Sequence, residues 1–294
     1  MTESGLRYEA EHGVATITLD KPDQLNAMSR AMAAALVALI DRADRDEAVR
    51  ALIVTGAGRA FCAGADLASG ALGETAQSDA AEDERDWSDP AVRDFGAIIT
   101  LRLFDCQKPV IVAFNGPAAG VGATLALAAD FRLASTSAKF VFPFVRRGIV
   151  PESASSWFLS RIVGLSRAID WLLLGASVSA EEALAAGLVR SVHASEALMP
   201  AARAIADEIV SQTAPVSVAL TRQLVWRMAG EPHPRTAHRL ETLALQSRKG
   251  SADVSEGVAS FLEKRPPVFP GRVSTDMPDI YSWWDSGFDR EEGK

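Results

Sequence analysis

Residues 14–20, VATITLD, set β-branched side chains in the alternating pattern of a strand. Behind them, SRAMAAALVALIDRADRD at 29–46 spaces its apolar residues at helical intervals, with Ser29 placed to cap the first turn. A second apolar run, RALIVTG at 50–56, completes a strand, helix, strand unit. The alternation continues with a helix near 94–104, a strand PVIVAF at 109–114, a Gly-punctuated helical stretch at 120–130 and a strand FRLAS at 131–135. Such alternation predicts an α/β class with parallel strands joined by right-handed crossovers.

The pattern changes after Ser179. SAEEALAAG carries the Ser179 to Glu182 spacing of a capping box and ends on Gly187, and beyond Ser195 helical periodicity dominates as far as Lys264. We therefore divide the chain into an α/β core at 1–195, a helical segment at 196–265 that packs on the core or on a neighbouring subunit, and a tail at 266–294. The tail is Pro-rich yet ends near Trp283 and Trp284, aromatics large enough to expect docking. Residues 68–89, rich in Gly, Ser, Glu and Asp, read as a loop.

Composition narrows the function. A chain of 294 residues with 48% hydrophobic content supports a large core. With 38 acidic against 30 basic residues, a net charge of -8 and no Lys/Arg cluster, it has no footprint for nucleic acid. The start, MTESGLRYEA, lacks the basic head and apolar core of a secretion signal, and no later apolar run is long enough to span a bilayer. A soluble, cytoplasmic protein without membrane partners is expected. Cys62 and Cys106 form no CxxC pair and the four histidines show no HExxH spacing, so no metal is expected.

Two glycine-rich turns, TGAGRAFCAGAD at 55–66 and NGPAAGVGATLALAAD at 115–130, each follow a strand and lead toward a helix. Their glycines permit close backbone approach, and exposed N–H groups at a helix start suit an oxyanion. Dinucleotide binding is the rival reading. Each turn begins like GxGxxG, but Phe61 and Leu125 stand where the third glycine belongs, which disfavours it.

At this point KPDQLNAMS, AFCAGADL, KPVIVAFNGPAAGVGATLALAAD, AKFVFPFVRRGIVPE, SAEEALAAGLV and SADVSEGVASFLEKRPPVF occur in order. This set resembles the crotonase superfamily, the enoyl-CoA hydratase and isomerase family, over residues 14–269. The resemblance implies a spiral of repeated β-β-α turns, a C-terminal helical trimerisation segment and a homotrimer or a hexamer of two trimers. It implies an acyl-CoA substrate, with CoA part of the substrate and no separate cofactor. It places the two oxyanion-hole N–H groups on Ala65 and Val121. CoA falls to Ala63, Ala65, Asp66 and Leu67, with Phe261 and Lys264 of a neighbouring subunit, although Lys264 suits a solvated helix-end cation equally well. Residues 68–89 match the variable wall of the acyl pocket.

Proton placement then chooses the reaction. Hydratases that the chain resembles use two glutamates, and ungapped alignment puts Thr124 and Phe144 at those positions. Glu152 falls instead where a branch resembling the 3-enoyl-CoA to 2-enoyl-CoA isomerases carries its single catalytic glutamate. As a sequence, Pro151-Glu152 also suits the first turn of a helix. Phe142, Phe144, Ile149, Val150 and Trp157 are expected to desolvate Glu152 and raise its pKa, against a helix start that would lower it. Three readings stand: a 3-enoyl-CoA isomerase with Glu152 as proton shuttle, an enoyl-CoA hydratase of fatty-acid β-oxidation, and a non-catalytic acyl-CoA binding protein. Asp130 is expected to orient buried backbone, and Cys62 to act as a small filler.

Overall fold

The computed structural model describes residues 4–66 and 94–279. Leu67, the 68–89 loop, Trp283 and Trp284 lie outside the described residues. A six-stranded sheet runs in the order β1 (Leu6–Glu11), β2 (Val14–Leu19), β3 (Ala51–Gly56), β4 (Val110–Phe114), β6 (Phe131–Ser135), β9 (Ser191–His193). β1 pairs antiparallel with β2, a hairpin partner that the alternation rule did not pick out, and every later pairing in this sheet is parallel. A second sheet joins β5 (Ala118–Ala119), β7 (Lys139–Val141) and β8 (Ser177–Ser179). The chain passes from the large sheet to the small one and back through a helix, so the predicted spiral of β-β-α turns is what forms.

Strand alternation decides which helix covers which face. Leu52, Val54, Val110, Val112 and Phe114 point to one side, where α1 (Arg30–Arg45) and α2 (Phe95–Asp105) bury Met32, Leu36, Ile40, Ile99 and Leu103. Ala51, Ile53, Ile111 and Ala113 point to the other, where α7 (Ser195–Gln212) lays down Leu198, Ala202 and Ala206. Each fully buried Leu or Ile contributes about 1.5–3 kcal/mol. The Ser29 hydroxyl, accepting the Met32 N–H at 3.2 Å, adds about 1 kcal/mol and fixes where α1 starts.

The helical stretch expected at 120–130 is shorter and tighter than its periodicity suggests. It is one α turn, α3 (Val121–Thr124), followed by a 3₁₀ turn at Leu125–Ala128. After the small sheet's β7 come α4 (Ser155–Val163) and α5 (Leu165–Leu174), then α6 (Ala180–Ala185) capped by Ser179. The C-terminal helices are α8 (Pro215–Met228), α9 (Pro234–Arg248), α10 (Ala252–Glu263) and the short α11 (Val273–Asp276). Among the described residues no helix is long and apolar enough to cross a membrane.

Candidate active site

Two asparagines shape the first glycine turn. Asn26, fully buried with left-handed backbone, donates its amide to the Ala57 and Ala60 carbonyls at 2.9 Å each and accepts the Lys21 N–H. Asn115 accepts the Gly56 N–H at 3.1 Å and donates to the Gly58 carbonyl at 2.9 Å. The turn is thus held from the KPDQLNAMS motif on one side and from the end of β4 on the other.

The second turn lies alongside the first. Phe61 N–H donates to the Pro117 carbonyl at 3.0 Å and Ala119 N–H to the Cys62 carbonyl at 3.0 Å, while Met28 N–H and the Gly64 carbonyl join at 2.8 Å. A Cβ at Gly122 would overlap the Cys62 carbonyl, so glycine is what lets the two strands of loop close up. Ala65 and Val121, the two expected oxyanion donors, sit at the ends of these adjoining stretches. Among the described residues neither N–H is given to a backbone carbonyl. Val121 is the first residue of α3 and follows Gly120 at φ 52°.

Glu152 comes to the same place from the other side of the fold. A Cβ at Gly96, in the first turn of α2, would overlap Glu152 Oε2 and Ser153 Oγ and come within 2.9 Å of Val121 Cγ2. The carboxylate and Val121, the second expected oxyanion donor, are therefore near neighbours across a helix that lacks a side chain at that point. Thr124 Oγ1 donates to Glu152 Oε1 at 2.6 Å and Ser153 Oγ donates to Oε2 at 2.7 Å. Thr124 Oγ1 also lies 3.1 Å from the Gly120 carbonyl. A hydroxyl has one proton to give, so Thr124 donates to Glu152 when the acid is ionised; when Glu152 is protonated it donates to Thr124, which then serves Gly120.

Glu152 is not a helix cap. α4 begins at Ser155, and Ser153 and Ala154 hold φ of 59° and 52°, left-handed values that turn the chain before the helix starts. Two consecutive non-glycine residues of this kind store strain, which native structure keeps at functional sites. Burial raises the Glu152 carboxyl from 4.5 to about 7, the nearby Asp94 charge adds to the rise, and the Thr124 and Ser153 hydroxyls oppose it. Burial therefore wins the contest left open by the sequence.

The expected apolar wall needs one correction. Phe142 and Phe144 are buried, but Val150 is 78% exposed and shields nothing. Its neighbour Ile149 turns inward while Val150 follows it out. Trp157 packs edge-on against Phe104 and Phe158, forming with Trp226 an aromatic cluster that joins α2, α4 and α8. Cys62 is buried, and burial pushes its thiol up to about 12, which suits a filler and not a nucleophile. Asp130 accepts the Val110 N–H at 2.7 Å, the Arg222 guanidinium at 2.7 Å and the Trp226 indole at 2.7 Å, the structural role expected of it. Phe261 and Lys264 stand exposed at the end of α10, with Lys264 as its left-handed C-cap. No group of three or more His, Cys, Asp or Glu side chains among the described residues is arranged to hold a metal.

Asp94 was not singled out from the sequence. It caps α2, its carboxylate accepting the Gly96 and Ala97 N–H groups at 2.9 and 3.1 Å, and it also accepts the Ser153 N–H at 2.6 Å. An Asp before an apolar helical run is an ordinary cap signal, and nothing in the spacing announces a partner 59 residues away.

Comparison with known proteins agrees with this arrangement. A family model described as enoyl-CoA hydratase/isomerase matches residues 9–272. The chain is 41% identical over 258 residues to an enoyl-CoA hydratase, AFT3-1, of Alternaria alternata, covering 87% of this chain and 83% of that protein. It is 38% identical over 263 residues to the 1,2-epoxyphenylacetyl-CoA isomerase of Escherichia coli strain K12, covering 89% and 97% respectively. A crystal structure of a probable enoyl-CoA hydratase/isomerase from Mycobacterium abscessus superposes with a TM-score of 0.81 at 34% identity, covering 91% of this chain and 99% of that one.

Proposed function

The chain belongs to the enoyl-CoA hydratase/isomerase family and is an enzyme of that kind, and from that premise we propose that it moves a double bond, converting a 3-enoyl-CoA to a 2-enoyl-CoA with Glu152 as the proton shuttle. The acyl-CoA binding protein without catalysis is set aside by relatives named as hydratases and isomerases.

The observation that carries the reading is the setting of Glu152. One partly buried carboxylate is fixed by two hydroxyls and raised to about 7, while the two positions that resemble a hydratase's glutamates hold Thr124 and the buried ring of Phe144. A 1,3-proton shift needs one base. Ionised Glu152 takes a proton from C2, and the electron pair moves through the thioester onto its oxygen. The Ala65 and Val121 N–H groups hold that dienolate oxygen. Neutral Glu152 then returns its proton to C4, the double bond settles between C2 and C3, and the carboxylate is ready again. A carboxyl near pH 7 is suited to both halves of this exchange.

Hydration of a 2-enoyl-CoA is the second reading, favoured by the printed name of the Alternaria relative. The assay that separates the two uses a 3-enoyl-CoA and a 2-enoyl-CoA across chain lengths, with products identified by mass and chromatography and Glu152→Gln alongside. Isomerisation without gain of water, lost in the variant, is expected. A gain of one water from the 2-enoyl substrate would replace the isomerase reading with a hydratase.

Ala63, Ala65 and Asp66 are assigned to CoA together with Leu67, and Phe261 and Lys264 to the CoA of a neighbouring subunit. What supports that subunit is the apolar surface on the last helices, where Val258, Phe261 and Leu262 are exposed. A homotrimer, alone or paired into a hexamer, would cover it.

A further inference from the structure

Asp94 and Glu152 are joined in two ways, directly as carboxyl beside carboxyl and through Ser153. The Ser153 backbone N–H donates to Asp94 Oδ2 at 2.6 Å and the Ser153 hydroxyl donates to Glu152 Oε2 at 2.7 Å. Ser153 is fully buried and left-handed, a conformation that costs about 1–3 kcal/mol in a non-glycine residue and persists only when its surroundings fix it. The bond to Asp94 is what fixes it. Gly96 leaves room for both Ser153 Oγ and the carboxylate against the first turn of α2.

That first turn would ordinarily favour ionised Glu152, because free N–H groups at a helix start attract negative charge. Asp94 removes this influence by taking the Gly96 and Ala97 N–H groups itself. It also sets a second carboxylate close enough to Glu152 to act on its titration.

We propose that Asp94 is a positioning residue of the site, which fixes the Glu152 carboxylate through Ser153 and uses its negative charge to make Glu152 hold the proton between the two transfers. The inference rests on the reading of Glu152 as the shuttle. Without Asp94 the proton is taken from C2 less readily, because a more acidic Glu152 is a weaker base. The titratable groups facing Glu152 are Asp94 from the start of α2 and the Cys62 thiol from the turn after β3, which burial keeps protonated. Arg30 of α1 meets the start of α2 over the Phe95 ring, 5.5 Å from its centroid. Thr124 and Ser153 complete the surroundings with neutral hydroxyls.

The test compares Asp94→Ser, Asp94→Asn and Asp94→Glu with the wild type and Glu152→Gln. Ser and Asn keep a side chain that caps a helix, so they remove the charge while retaining the start of α2; thermal melts establish that each variant is folded. Two quantities are read: the acid limb of the pH dependence of kcat/KM, and the titration midpoint of the Glu152 carboxyl by NMR of protein labelled at the glutamate δ-carbon, assigned by its loss in Glu152→Gln. Both are expected to move down by about one pH unit in Asp94→Ser and Asp94→Asn, with kcat reduced, and to return toward the wild-type position in Asp94→Glu. An unmoved limb and midpoint in folded Asp94→Ser and Asp94→Asn, with Glu152→Gln inactive, would reduce Asp94 to a helix cap and leave the shuttle intact. Activity surviving in Glu152→Gln would overturn the shuttle, and this inference with it, whatever the carboxyl titration showed.

Discussion

Glu152 ties stability to pH as well as to activity. In the unfolded chain its carboxyl ionises near 4.5 and in the native site near 7, so the native state binds an extra proton between those values. The contribution is therefore favourable below about 4.5 and is lost as pH rises through 7. Glu152→Gln removes the buried charge and the pH dependence together. Differential scanning calorimetry should find the variant more stable than the wild type by roughly 5 °C at pH 8, with the gap closing toward pH 4.5; an equal gap at both pH values would contradict a raised carboxyl. Glu152, Ala65 and Val121 came forward as candidates through the family resemblance of the motifs they sit in. Asp94 and Ser153 did not, because what they do depends on a left-handed turn at 153–154 that no residue type there signals, both positions being non-glycine.

The elements were legible in proportion to how local their causes are. β2, α1, β3 and β4 follow from alternation, period and caps that act within a few residues. β1 is a mostly exposed strand whose charged residues hide its pairing with the adjacent β2, whereas β5, β7 and β8 follow from partners far along the chain and are only two or three residues long, which leaves little periodicity to detect. At this scale α2 is the element on which the proposed chemistry depends, since its Gly96 lies against the Glu152 carboxylate. Gly96 has no left-handed φ, so alanine suits the helix and only the missing space opposes it. Gly96→Ala is expected to keep its far-ultraviolet circular dichroism and lose at least tenfold in kcat/KM, measured with the substrate that the first assay identifies. Unchanged kcat/KM would mean that the carboxylate does not need to dock there.

For the whole molecule, the unpaired apolar surface on α10 makes a prediction about assembly. Val258→Glu with Leu262→Glu, two exposed positions one helical turn apart, should lower the mass found by light scattering after size exclusion while leaving the monomer core folded. No change in mass would remove α10 from the interface. A second long-range link runs through α8. Arg222, buried, donates to the Leu103, Phe104 and Cys106 carbonyls at the end of α2 and to Asp130 beside β4. Those carbonyls belong to the same helix whose other end carries Asp94 and Gly96. During synthesis, at about 5–20 residues per second, the strands around β3 and β4 emerge well before residue 222 does. The ribosome thus delivers α2 and Glu152 early and Arg222 late, and a chain stalled before α8 would carry α2 without the cation that gathers the carbonyls at its end.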